Sequence, residues 1–538
     1  MQVIKRSHLL HSISGLAVIA ANPAFAQNKE NKNERPNIVL IMVDDMGYSD
    51  IGCFGGEIPT PNIDRLAEKG VRYTQFYNTA RSCPTRASLM TGLYPHQAGI
   101  GEMTEEPGNK KETQNRPPAY QGYLNRNCVT IAEVLKEAGY HTYMTGKWHL
   151  GTQEQSRWPL QRGFDRFYGI LTGAASYFMP QGDRGLTLDN TPLDPPKQPY
   201  YTTDAFTNHA IKFIKEQKDD NPFFLYLAYN APHWPLHAKV KDIAKFVGKY
   251  DKGWEVIQKE RYERMVKLGI IDESWEIAEW ESRKWDDLTN QERENSSLRM
   301  SVYAAQVYAM DYNVGKLIDY LEKENKLDNT LIVFFSDNGA CAEPYSETGF
   351  ENVDMINNVN SWVAPSYGLP WAQVSNTPLR KYKVKAYEGG ISTSFILSWQ
   401  NKYAKYNNQI RHNVAFLPDI MATFIDVAET TYPKEYHDGQ KIIPLQGTSM
   451  CPTVEKPDKE IHDYIFGEHY NNCFVRWKEW KAVKDEKIKE WELYNIKKDR
   501  TEHHNLAQQH PDILKSLVER WTKWANKSAV YPKQLNEK

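Results

Sequence analysis

The chain has 538 residues, far more than one small core requires, so one large domain with an appendage, or two domains, is the expectation. Its 40% hydrophobic and 25% charged content is that of an ordinary globular protein. Once Lys5 and Arg6 are removed with a leader, 64 basic residues face 68 acidic ones, a net charge of −4, which argues against a nucleic-acid partner. The leader itself is expected at 1–26: Lys5 and Arg6, an apolar run at 9–21, then the cleavage pattern Ala24-Phe25-Ala26, so the mature chain begins at Gln27. His11, Ser12 and Ser14 interrupt that run, which is too short to span a bilayer, and no other stretch reads as transmembrane. Residues 27–35 form a polar tether. From Pro36 apolar runs alternate with helical segments, predicting an α/β fold: a large mixed, mostly parallel sheet flanked by helices.

The predicted strands are 38–43, 71–77, 142–145, 223–229, 331–335 and 393–399, several apolar throughout, as buried parallel strands are. Helices are predicted at 61–69, 130–138, 205–216 and 302–324. The Gly-, Pro- and Asp-rich stretch 181–199 reads as irregular. Residues 239–295 read as a helical insertion whose Trp254, Trp275, Trp280 and Trp285 pack it onto the main domain in preference to touching substrate. The pattern breaks around 446–458. Short antiparallel strands at 464–469, 473–477, 480–485 and 492–495, then a helix at 511–524, predict a small C-terminal α+β unit over 459–538 beside a main domain over 36–450. Cys53, Cys83, Cys128, Cys341, Cys451 and Cys473 lack C-x-x-C spacing, so zinc and thioredoxin-like readings find no support, and their pairing is not legible.

Chemistry gathers at strand ends. Asp44-Asp45 follows 38–43, and adjacent strand residues point to opposite faces, so both reach one ion only at a bend beyond the strand. Asp337-Asn338-Gly339 follows 331–335 in the same way. Each cluster alone reads more readily as a turn or helix cap than as a metal site, because Asp, Asn and Gly favour those conformations. Together, at the carboxyl rim of a parallel sheet, they make an oxygen-only site suited to Ca²⁺ or Mg²⁺ rather than zinc. Ser82-Cys83-Pro84-Thr85-Arg86 opens a helix after 71–77, placing Ser82 where an anion is favoured, although a capping Ser with Pro in the next turn reads the same way. Lys147 and His149 share one side if Thr145–His149 stays extended; His233 follows 223–229, and Lys383 precedes 393–399. A lone Lys or His is usually structural or solvated, but with Arg86 they supply what a charged ester group needs.

The pattern Ser-x-Pro-x-Arg followed by Thr91-Gly92 resembles the signature of the type I sulfatases. Asp44-Asp45, Gly146-Lys147-Trp148-His149-Leu150-Gly151, Arg162-Gly163-Phe164-Asp165, Pro232-His233, Asp337-Asn338-Gly339, Lys383 ahead of Glu388-Gly389-Gly390, and Glu492-Leu493-Tyr494-Asn495 through Asn505-Leu506-Ala507 fall in family order. The resemblance covers essentially the whole mature chain and is strongest to bacterial arylsulfatases. It implies an alkaline-phosphatase-like fold and a sulfuric ester hydrolase acting on an aryl or, in nature, a carbohydrate sulfate, with a 3-sulfated galactose as one candidate. It further implies that Ser82 is oxidised to formylglycine (3-oxoalanine) and that Asp44, Asp45, Asp337, Asn338 and modified Ser82 hold Ca²⁺. Arg86 would hold the hydrated aldehyde and His149 would assist sulfate expulsion. Lys147, Lys383 and His233 would bind the sulfate group, and His233, with Lys383, would protonate the leaving oxygen. A Ser at this position implies a radical sulfatase-maturating enzyme acting before export to a bacterial periplasm. Two rival readings are a phosphate mono- or diesterase of the alkaline phosphatase superfamily and an inactive binder of sulfated glycans.

Overall fold

The computed structural model describes residues 35–104, 116–343, 356–359 and 366–531. The expected leader at 1–26 and most of the tether lie outside these residues. Among those described, no helix is long and apolar enough to cross a membrane.

The main sheet grows outward from β1 (Asn37–Val43), which pairs in parallel with β7 (Phe223–Ala228) on one side and β8 (Thr330–Ser336) on the other. Its alternate residues feed two different cores: Val39, Ile41 and Val43 face one layer of helices, and Ile38, Leu40 and Met42 face the opposite layer. Covering on both faces is why the strand reads as one unbroken apolar run. The remaining strands are β2 (Val71–Tyr77), β3 (His141–Lys147), β4 (Arg166–Ile170), β5 (Leu186–Leu188), β6 (Thr191–Pro192), β9 (Ser392–Ser398) and β10 (Gln409–Phe416). The ten-stranded order is β10-β2-β9-β8-β1-β7-β3-β4-β5-β6. β9 runs antiparallel between β2 and β8, β5 runs antiparallel to β4, and the antiparallel β5–β6 hairpin closes one edge; the other pairings are parallel.

Each of the six expected strands is present within two residues of its predicted ends. Four strands and the start of one helix depart from expectation. β4 and β10 were not anticipated: β4 is short, and β10 mixes polar with apolar residues around an irregularity between Arg411 and Val414. The stretch expected to be irregular at 181–199 contributes β5 and β6. The long helix runs Asn290–Lys323, starting twelve residues before the expected 302. Its first turns are too polar for hydrophobic periodicity to register, yet Thr289 and Glu292 form a capping box that marks the start. The insertion tryptophans do pack: Trp254 is fully buried, with Trp285, Trp280 and Trp371 rings 4.9, 5.9 and 6.1 Å from its own.

A second, four-stranded antiparallel sheet follows: β11 (Tyr464–His469), β12 (Asn472–Trp477), β13 (Trp480–Lys484) and β14 (Glu492–Asn495), with the helix Pro511–Lys527 beside it. Phe474, Val483, Leu493 and Trp521 from this unit share one buried cluster with Tyr77 and Phe416 of the main sheet and with Tyr387 and Ile391 just ahead of β9. No disulfide joins any of the six cysteines.

Candidate active site

β1 and β8 end in register, Val43 opposite Ser336, and the Asp337 N–H donates to the Val43 carbonyl at 3.0 Å. Both acidic clusters therefore leave the sheet at the same point. Asp45 sits at φ 66°, in the left-handed region, which supplies the bend that lets it join Asp44 instead of pointing to the opposite face. Its N–H donates to Asp337 Oδ1 at 3.2 Å. The Asp337-Asn338-Gly339 turn lies hard against the Glu388-Gly389-Gly390 turn: a Cβ on Gly339 would stand 1.8 Å from the Gly389 carbonyl oxygen, so no larger residue fits.

Ser82 is the first residue of the helix Ser82–Thr91, every residue of which is buried. One turn later Arg86 folds back and donates from Nε to Ser82 Oγ at 3.0 Å. Its Nη1 reaches the Lys147 carbonyl at 2.8 Å, and its Nη2 stands 3.4 Å from Asp44 Oδ2 and 3.3 Å from Asp337 Oδ2. One fully buried guanidinium thus ties the helix start to both acidic clusters.

The lysines also bind the paired carboxylates. Lys147 Nζ donates to Asp44 Oδ2 at 2.6 Å, and Lys383 Nζ to Asp45 Oδ2 at 2.9 Å. His233 Nε2 is 3.4 Å from that same Asp45 oxygen, while its Nδ1 lies 2.5 Å from the Trp234 carbonyl. A ring whose Nδ1–H is held by a carbonyl presents Nε2 to the pocket. Lys147 closes β3, but His149 does not continue an extended line: at φ 56° the chain has already turned. The His149 ring is buried, and neither nitrogen has a hydrogen-bond partner.

The charges perturb one another strongly. Burial alone would raise Asp45, but facing His233 and Lys383 hold its carboxyl well below the usual range. Burial and the neighbouring Asp44 push Asp337 up to about 7. Burial drives His233 down to about 3 despite the pull of Asp45, and burial with Lys147 and Arg86 lowers His149 well below an ordinary histidine. The residues fit a divalent cation. Asp44 Oδ1 and Asn338 Oδ1 are buried acceptors with no hydrogen-bond partner, beside crowded carboxylates that resist full ionisation without a counter-charge. Asp44, Asp45 and His233 also offer ligand atoms within 4.8 Å of one another. The harder carboxylate and amide oxygens favour Ca²⁺ or Mg²⁺ over a nitrogen-preferring metal.

All the residues expected from the sequence are therefore brought to one buried site. Two that were not expected join them. Arg81, immediately before Ser82, pairs with Glu343 at 2.6 Å, and Glu343 stands 3.6 Å from Lys383 Nζ. Lys383 and Arg81 hold the Glu343 carboxyl down to about 2 against the effect of burial. Neither position carried a sequence signal beyond its nearness to a motif.

Comparison with known proteins gives a consistent answer. The sulfatase family model matches residues 36–430. An uncharacterized sulfatase of Schizosaccharomyces pombe is 35% identical, covering 94% of this chain and 96% of its own length. An arylsulfatase of Klebsiella aerogenes is 34% identical over 81% of this chain and 95% of its own. Among solved structures, Ps i-CgsB in complex with k-i-k-neocarrahexaose superposes with a TM-score of 0.67 at 28% identity, covering 91% of this chain and 93% of that one.

Proposed function

The chain belongs to the sulfatase family of sulfuric ester hydrolases, and from that premise we propose that Ser82, oxidised to formylglycine, is the nucleophilic residue and that the natural substrate is an O-sulfated carbohydrate. The observation that carries the reading is the convergence of Arg86, Lys147, Lys383 and His233 on the paired carboxylates Asp44 and Asp45, with Arg86 also binding Ser82. Formylglycine at position 82, once hydrated, would offer one hydroxyl as the nucleophile and a second through which the bound sulfate could be released. Arg86 holds that group and balances the negative charge around it. Lys147 and Lys383 bind the sulfate oxygens, their ammonium groups kept in place by Asp44 and Asp45. In its imidazolium form, which a bound anionic ester would favour, His233 protonates the departing alcohol from Nε2, and His149, with both ring nitrogens unsatisfied inside the protein, takes the proton in the expulsion step.

Asp44, Asp45, Asp337 and Asn338, with residue 82, would hold a Ca²⁺ ion. Such an ion offsets the crowded carboxylates and favours the anionic nucleophile. Dialysis against a chelator is expected to remove most activity, and Ca²⁺ to restore it, measured as sulfate release; full activity in the metal-free protein would exclude the role.

Export to a bacterial periplasm fits the leader-like 1–26 stretch, and a Ser at position 82 fits modification by a radical maturase before export. A 3-sulfated galactose is the first sugar to try. The deciding experiment is the mass of the peptide containing residue 82, from protein made in its own host or beside a Ser-type maturase. A deficit of about two mass units, the two hydrogens lost when Ser becomes formylglycine, is expected. An intact Ser in active protein would remove the nucleophile as described. Faster turnover of aryl phosphate than of aryl sulfate would instead favour a phosphoesterase.

A further inference from the structure

His233 stands on the loop that follows β7, and the hydrogen bonds of that loop converge on one side chain outside it. Tyr177 is fully buried, and its hydroxyl lies 2.7 Å from the carbonyl oxygens of both Asn230 and His233. These two carbonyls bracket a turn closed by the His233 N–H donating to Asn230 O at 3.1 Å. A hydroxyl has one proton, so Tyr177 donates to one of these carbonyls at a time. Gln306 supports the same stretch, its Nε2 lying 3.2 Å from Pro235 O and 3.5 Å from His233 O. Tyr177 is held in turn: its N–H donates to His237 Nδ1 at 3.3 Å, and Thr202 N donates to its carbonyl at 2.8 Å.

The ring of His233 is tied to the backbone of the same loop through Nδ1 and the Trp234 carbonyl. Whatever fixes that backbone therefore fixes where Nε2 points. We propose that Tyr177 is a positioning residue for His233, its hydroxyl setting the height of the turn that aims Nε2 at the departing oxygen. This rests on His233 being the leaving-group acid. A merely structural tyrosine, satisfying its hydroxyl with the nearest carbonyls, would affect all substrates alike. A positioning one acts only where the leaving group needs a proton: a sugar alkoxide does, and 4-nitrophenolate does not.

The test compares Tyr177→Phe, His233→Ala and Tyr201→Phe on 4-nitrophenyl sulfate and on a sulfated galactose, with thermal midpoints measured for all three. Tyr201 is a matched control, since its hydroxyl holds the His237 carbonyl at 3.0 Å and makes no contact with His233. Tyr177→Phe is expected to lower kcat on the sulfated sugar about tenfold to a hundredfold, part of the usual share of a general acid, with KM within about twofold and the aryl sulfate nearly unaffected. His233→Ala should show the same bias more strongly, and Tyr201→Phe should show none. Equal losses on both substrates in Tyr177→Phe, or no loss on either, would overturn the positioning role while leaving His233 intact. Absence of bias in His233→Ala would overturn the acid assignment, and this inference with it.

Discussion

Replacing Ser82 by Ala is expected to lower kcat for sulfate release by about five to six orders of magnitude, the scale on which removal of a covalent nucleophile acts. The fold should barely respond. Ser82 Oγ accepts one hydrogen bond, from Arg86 Nε, and Arg86 keeps its contacts to the Lys147 carbonyl, Asp44 and Asp337. Loss of that bond costs about 1 kcal/mol. Since Lys147 and Lys383 remain anchored, the Ser82→Ala protein should still bind a sulfated sugar, measured calorimetrically with no turnover to interfere. Residual activity within tenfold of the parent would rule out residue 82 as nucleophile. Loss of binding along with turnover would instead mean that the site had collapsed.

The second large effect concerns stability. Lys481 on β13 is fully buried, donating to Glu388 Oε1 at 3.1 Å and Glu502 Oε1 at 2.8 Å; Arg500 Nε donates to Glu388 Oε2 at 3.0 Å. Burial would raise Glu388, but Lys481 and Arg500 bring it from 4.5 to about 2. Burial and the neighbouring Glu388 push Glu502 from 4.5 up to about 7. The signs are opposite. The Glu388 contribution is present above pH 4.5 and lost as pH falls through 2. That of Glu502, which keeps its proton in the folded protein, is present below pH 4.5 and lost as pH rises through 7. Lys481→Met strands buried carboxylates and should cost about 3–5 kcal/mol, read from the denaturant midpoint. The loss should be larger at pH 8, where Glu502 would also ionise, than at pH 5. Adding Glu502→Gln should recover much of it, because Glu388 retains Arg500. A pH-independent loss, or no recovery in the double variant, would contradict this account.

What the sequence made legible follows from the range over which each signal acts. The central strands announced themselves through unbroken apolar runs, because covering on both faces leaves no place for strongly polar residues in the middle of β1, β7 or β8. Asp44-Asp45 could be placed because the alternation of a strand forbids two neighbours from sharing a target without a bend, and Asp45 makes that bend. The edges were harder: β10 carries polar residues within an irregular pairing, and the first turns of the Asn290–Lys323 helix are polar, so neither shows the period on which prediction depends. Long-range polar pairs left no trace at all. Arg81 and Glu343, Tyr177 and His233, and Lys481 and Glu388 are each separated by dozens to hundreds of residues, and no spacing rule joins them. Glu388 was legible as part of a motif, but its reason, a buried cation from the last quarter of the chain, was not.

That last pairing bears on the order in which the molecule is made. The turn carrying Lys383 is wedged against Gly339 on one side, and on the other its Glu388 N–H donates to Glu502 at 2.8 Å. A ribosome must therefore release β13 and the residues around 500 before the wall bearing Lys383 can settle. Ser82, only 3% exposed in the finished protein, emerges some four hundred residues earlier. Under the oxidation of Ser82 proposed above, late closure by the C-terminal strands would set the interval in which a modifying enzyme must act.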